Sequence, residues 1–126
     1  MTLKIISIII LLSTLKVIAQ TPNKLSTIKI KRDNTDLLNG KKYYIQNCAI
    51  CHDNPKLGPK LNGVTEKYSK QWVLDFTENN ERLLNLKDKQ AIKIWLAWKK
   101  APMTVYEGGV TKKQLEDLYT YLKTLK

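Results

Sequence analysis

This chain is short of soft metal ligands. Its 126 residues hold one histidine, two cysteines and two methionines, one of them Met1. A structural zinc site takes four ligands, commonly cysteine and histidine, and one histidine with two cysteines falls short of that set. Acidic residues are scarce too: 22 lysines and arginines stand against 11 aspartates and glutamates, a formal net charge of +11. Arginine contributes only Arg32 and Arg82, so almost all the positive charge sits on lysine, a mobile, hydrated point charge suited to loose contacts. Long apolar runs are absent except near the start, and no twin arginine precedes that run.

Residues 1–19 read as a secretory signal peptide. Lys4 supplies the charged region, Ile5 to Leu15 the apolar run, and Val17-Ile18-Ala19 the small-residue cleavage signature before Gln20. An uncleaved anchor is the alternative, but the run falls short of the roughly 20 apolar residues a spanning helix needs, and Lys16 interrupts its far end. No cysteine follows the cleavage point to mark a lipoprotein. The expected location is the periplasm. A basic excess of this size often signals nucleic acid, yet an exported chain seldom meets any, so none is expected as a partner. The charge either keeps a solvated surface soluble or steers the protein toward an acidic partner or, peripherally, an anionic membrane surface.

The scarce ligands are gathered in one place. Both cysteines and the only histidine fall within Cys48-Ala49-Ile50-Cys51-His52. In a helix, positions i, i+3 and i+4 share a face. The thiols of Cys48 and Cys51 can then add to the two vinyl groups of one haem while His52 offers the iron an imidazole nitrogen, the c-type attachment pattern. A thioredoxin-like pair would open a helix after a buried strand, whereas the residues before Cys48 read as helix. A Cys48–Cys51 disulfide leaves His52 without a role.

Around this centre the chain divides into a polar, lysine-rich arm at 20–35 and one small domain at 36–126. In the arm, the alternation Ser26 to Lys31 suits a short edge strand or an extended tether. A helix begins at Thr35 or Asp36 and runs to Cys48, with Gly40 inside it; an interior glycine costs about 1 kcal/mol against alanine, which a close helix crossing would justify. After His52 come turn formers Gly58, Pro59 and Gly63. The Pro59 carbonyl can accept the spare N–H of His52, orienting the ring and strengthening it as a ligand. A second helix is expected over Thr65 to Phe76, a third from about Leu86 or Asp88 to Lys99, and a last one after the capping box Thr111-Lys112-Lys113-Gln114. Trp72 and Trp95 are candidates for core or for the wall of the haem pocket. Past residue 19 the sole methionine is Met103, after Pro102. A second strong protein ligand to the iron would therefore be its sulfur, and a histidine–methionine pair raises the reduction potential and closes the iron to substrates.

From about Leu37 to Lys126 the chain resembles a class I cytochrome c. The resemblance rests on Gly40 and Tyr44 in the first helix, on Cys48-x-x-Cys51-His52, on Gly58-Pro59-x-Leu61, and on Leu118 to Lys123 in the last helix. It implies an all-α fold of about four short helices around one covalent haem c, with Gly40 and Tyr44 crossing the last helix near Tyr121. It also implies that the loop holding Pro59 and Leu61 borders the haem and is hydrogen-bonded to the axial histidine. The implied function is an electron carrier, not an enzyme, passing single electrons between respiratory redox proteins without a small-molecule substrate. Lys56, Lys60, Lys99, Lys100, Lys112 and Lys113 are candidate rim charges for an acidic docking surface. The alternatives are a haem subunit of a larger oxidoreductase, and a sensor or enzyme with an open sixth iron position.

Overall fold

The computed structural model describes residues 24–99, 103 and 109–126. The signal-peptide segment, Lys100 and Pro102 lie outside the described residues. Two compact units divide the chain, Met1–Lys31 and Arg32–Lys126. Among the described residues all regular secondary structure is helical, as an all-α fold requires: α1 (Lys24–Asn47), α2 (Ala49–His52), α3 (Val64–Lys67), α4 (Lys70–Asn85), α5 (Lys89–Ala97) and α6 (Lys112–Leu122). No helix among them is long and apolar enough to cross a membrane.

Helix α1 starts at Lys24, well before the Thr35 or Asp36 cap expected from sequence. The alternating stretch Ser26 to Lys31 is helical, not an edge strand or extended tether. It contains no glycine or proline, and extending a formed helix fixes one residue per added hydrogen bond, so the costly nucleus need not be made again. Asp36, freed from a capping role, accepts a bond from Lys113 Nζ at 2.7 Å.

The expected helix over Thr65 to Phe76 is two helices. Tyr68 is extended (φ −125°, ψ 150°) and ends α3. Ser69 then accepts from the Trp72 N–H at 3.3 Å and caps α4, as a serine's competition with the helical backbone allows. Helix α4 runs on to Asn85, bent at Asn79, whose backbone is extended (φ −159°, ψ 85°). The Asn79 side chain accepts from the Arg82 N–H at 2.9 Å, so it caps a new helical segment beginning at Asn80. Arg82 and Asp75, 3.1 Å apart, pair across the bend.

Helices α5 and α6 start where the sequence indicates. Asp88 caps α5 through the Ala91 N–H at 2.8 Å. Thr111 and Gln114 form the reciprocal capping box of α6. The apolar stripe of α6 supplies Leu118 and Leu122 to the core, where they meet Tyr44 of α1 and Val73 of α4. Gly40 sits at the α1–α6 crossing. A Cβ there would overlap the Asp117 carbonyl and lie 3.0 Å from Tyr121 Cβ, while the rings of Tyr44 and Tyr121 stand 5.2 Å apart. The glycine is what lets the two backbones approach.

Candidate functional site

Helix α1 delivers Cys48 directly into the site. Its N–H bonds to the Tyr44 carbonyl at 2.8 Å, and its own carbonyl receives the N–H groups of Cys51 at 3.2 Å and His52 at 2.9 Å. Cys48 is thus the cap of the single turn α2, and Cys51 and His52 follow on that turn. Both thiols are free, Cys48 half-buried and Cys51 exposed. Burial pushes the Cys48 thiol up to about 11, with the Asp53 carboxylate and Cys51 adding to the effect. The disulfide alternative is not what this turn holds, and among the described residues no cluster of three His, Cys, Asp or Glu side chains could cage a metal ion.

The histidine ring is fixed from one side. His52 Nδ1 lies 2.6 Å from the Pro59 carbonyl oxygen. A carbonyl can only accept, so Nδ1 carries a proton, and in the neutral ring Nε2 is the nitrogen whose lone pair can meet a metal. The loop that brings Pro59 there is closely fitted: a Cβ on Gly58 would stand 3.1 Å from the Cys51 carbonyl oxygen and 3.5 Å from His52 Nδ1. Its far end is tied to the C-terminus, where the Gly63 N–H meets the Leu125 carbonyl and Asn62 Nδ2 meets the Lys126 carbonyl, both at 2.8 Å. Gly63 has φ +68°, a conformation glycine adopts at no steric cost. Leu61, within this loop, packs against the core cluster.

Asp53 is a residue the sequence reading missed. The Tyr44 hydroxyl donates to Asp53 Oδ1 at 2.5 Å, so the residue after His52 is pinned to α1. Burial and then this carboxylate push the Tyr44 phenol well above its ordinary range. No periodicity signals such a pair, because a hydroxyl and a carboxylate nine residues apart obey no helical spacing.

Trp72 stacks on Tyr68 and Phe76, with ring centroids 4.5 and 4.8 Å apart. Its indole N–H donates to Asp88 at 3.1 Å, tying α4 to the start of α5. That bond occupies the indole's one donor, which leaves none for a haem propionate. Trp95 is half-buried on α5. Of the candidate rim charges, Lys56, Lys60, Lys99 and Lys112 are exposed. Lys113 differs, because Asp36 and Asp117 both bind its ammonium; it braces α1 against α6 instead of standing free at a rim.

Met103 is half-buried. Its carbonyl accepts from Asn80 Nδ2 at 2.9 Å, and Asn80 is only 8 % exposed. Asn80 is the second functional candidate missed in the sequence. The pair Asn79-Asn80 inside a helical run, two weak helix formers that favour caps, was the available signal.

Two free thiols and an Nδ1-protonated histidine on one helical turn are the donor set that holds a haem by two thioethers and an axial nitrogen, so the residues fit that group. The all-α domain and this turn define a haem-binding electron-transfer protein. A family model for cytochrome c matches residues 37–126, and the chain belongs to the cytochrome c family. Membership implies a haem c, and proteins of this family generally carry electrons between redox protein partners. No curated protein and no solved structure gives a significant match.

Proposed function

We propose that this protein is an exported single-haem electron carrier whose iron takes His52 Nε2 on one side and the sulfur of Met103 on the other. The observation that carries the reading is the 2.6 Å approach of His52 Nδ1 to the Pro59 carbonyl, beside two free thiols on the same turn. Cys48 and Cys51 would hold the haem, which supplies a one-electron ferric–ferrous couple when bound. Pro59 fixes the protonated nitrogen of His52 and so keeps the other available in both oxidation states. Met103 stands as the only methionine after residue 19; a thioether in the sixth position raises the reduction potential and leaves no open place for a substrate. The exposed Lys56, Lys60, Lys99 and Lys112 supply positive charge for brief encounters with acidic redox partners.

Two measurements on the purified holoprotein test this. The denatured mature chain should carry the added mass of one haem, and its N-terminus should be Gln20. The ferric absorption spectrum should show the weak long-wavelength charge-transfer band of methionine sulfur on haem iron. A chain without the haem mass overturns the whole reading; haem mass without the band overturns Met103 as ligand and favours an open sixth position.

A further inference from the structure

We infer that Asn80 is a positioning residue for the sixth ligand, and that the bend at Asn79 exists to aim it. This deepens the proposed role of Met103 and rests on it. Asn79 is extended, and its side chain caps the segment that follows through the Arg82 N–H at 2.9 Å. Asn80 then begins that segment, buried, with its amide donating to the Met103 carbonyl at 2.9 Å. An unbroken α4 would carry the side chain of residue 80 in the register set by Lys70 to Glu78; the extended residue resets it. Asp75 and Arg82, one before and one after the bend in sequence, pair at 3.1 Å.

The chemistry explains why such a hold is needed. Thioether sulfur is a soft ligand, and ferric iron is a harder acid than ferrous, so a Met103 sulfur on ferric iron would be kept there partly by the protein that presents it. A buried amide on the backbone carbonyl of the ligand residue restrains that residue without touching its sulfur. Losing the donor leaves the carbonyl short of a partner, and a buried hydrogen bond of this kind corresponds to about a tenfold change in an equilibrium constant.

The test is titration of the ferric holoprotein with imidazole, which competes for the sixth position, read by loss of the methionine charge-transfer band. Asn80→Ala should bind imidazole about tenfold more tightly than the wild type. Asn80→Asp, of the same shape but with no donor at neutral pH, should shift the same way. Leu83→Ala is the control, because it removes a buried side chain from the same helical segment and destabilises the fold while leaving the Asn80 amide in place. Its imidazole affinity should shift clearly less than that of Asn80→Ala. The exposed Asn79 gives a variant that folds readily: Asn79→Ala should tighten imidazole binding and Asn79→Asp, which keeps a capping oxygen, should not. Wild-type affinity in both Asn80 variants, or an equal shift in Leu83→Ala, would overturn the inference. A wild-type protein with no methionine band overturns the ligation reading instead, so the two failures are told apart before any variant is made.

Discussion

Replacing Gly40 with alanine should destabilise the domain, although alanine is the better helix former. In an exposed helical interior that change gains about 1 kcal/mol. At Gly40 the new Cβ would meet the carbonyl of Asp117, with the carbonyl carbon 2.5 Å away, whereas carbon contacts settle near 3.5–4.0 Å. Neither atom can swing aside, because one is backbone and the other is fixed to it. The helices must separate by about 1 Å, and a radial gap of that size forfeits roughly a quarter to a half of each contact's attraction. The side chains that lose contact are Tyr44 and Leu118, 4 % and 3 % exposed, and the ring pair of Tyr44 with Tyr121. Overpacking of this kind costs about 1–3 kcal/mol, and loss of an aromatic pair adds about 0.5–1.5 kcal/mol. Set against the propensity gain, the net loss is about 1–3 kcal/mol. For a domain of this size that corresponds to a fall in Tm of roughly 5–15 °C. Denaturant unfolding followed by far-ultraviolet circular dichroism on the holoprotein measures it. A variant as stable as the wild type, or more stable, refutes the close crossing of α1 and α6.

Asp88 gives a prediction in pH. The Ala91 N–H and then the Trp72 indole N–H hold its carboxyl below the usual carboxylate range, so its stabilising contribution is full above the unfolded value of about 3.9 and fades as pH falls through the lower folded value. An asparagine at this position would keep a capping oxygen without the charge, so Asp88→Asn should lie below wild type in urea midpoint at pH 7, and the gap should narrow as pH falls below about 3.9; a gap that stays constant refutes the role of the charge. The excess of lysine predicts the behaviour of small oxidants. Oxidation of the ferrous protein by anionic ferricyanide should slow several-fold between about 0.01 and 0.2 M salt, and oxidation by a cationic cobalt complex should quicken. Rates indifferent to salt with both reagents would show that the lysines do not face the route of electron exit.

What could be read in advance was local or enforced by shape. The capping box at Thr111 and Gln114 is a three-residue spacing, and Cys48, Cys51 and His52 are one helical turn. Gly40 announced a crossing because an interior glycine needs a reason, and Pro59 met His52 over seven residues of loop. The misses share a different cause. Tyr68 and Asn79 interrupt helical runs without a glycine or proline to mark the break, and the stop is made by serine and asparagine side chains competing for backbone N–H groups. Tyr44 with Asp53, Trp72 with Asp88, and Asn80 with Met103 join positions separated by 9, 16 and 23 residues. A polar side chain meeting a distant carbonyl or carboxylate leaves no period in the sequence. The start of α1 at Lys24 was hidden by β-branched residues that locally favour strand, which helix extension from the following turns overrides.

The two sides of the proposed haem site are held in unequal ways, and this bears on what the protein could become. On the histidine side, the turn of Cys48 to His52 is continuous with α1, pinned by Tyr44 through Asp53, closed by Gly58 and Pro59, and latched to Leu125 and Lys126. Two thioethers would add covalent ties there. Removing any one of these contacts leaves the others in place. On the methionine side, among the described residues, the Met103 carbonyl accepts from Asn80, and Asn80 follows a single extended residue. Ligand exchange would therefore take place at the methionine side, and one substitution at Asn80 would move the protein toward an open sixth position. The imidazole titration would then measure how far one amide moves the proposed site toward exchange of its sixth ligand.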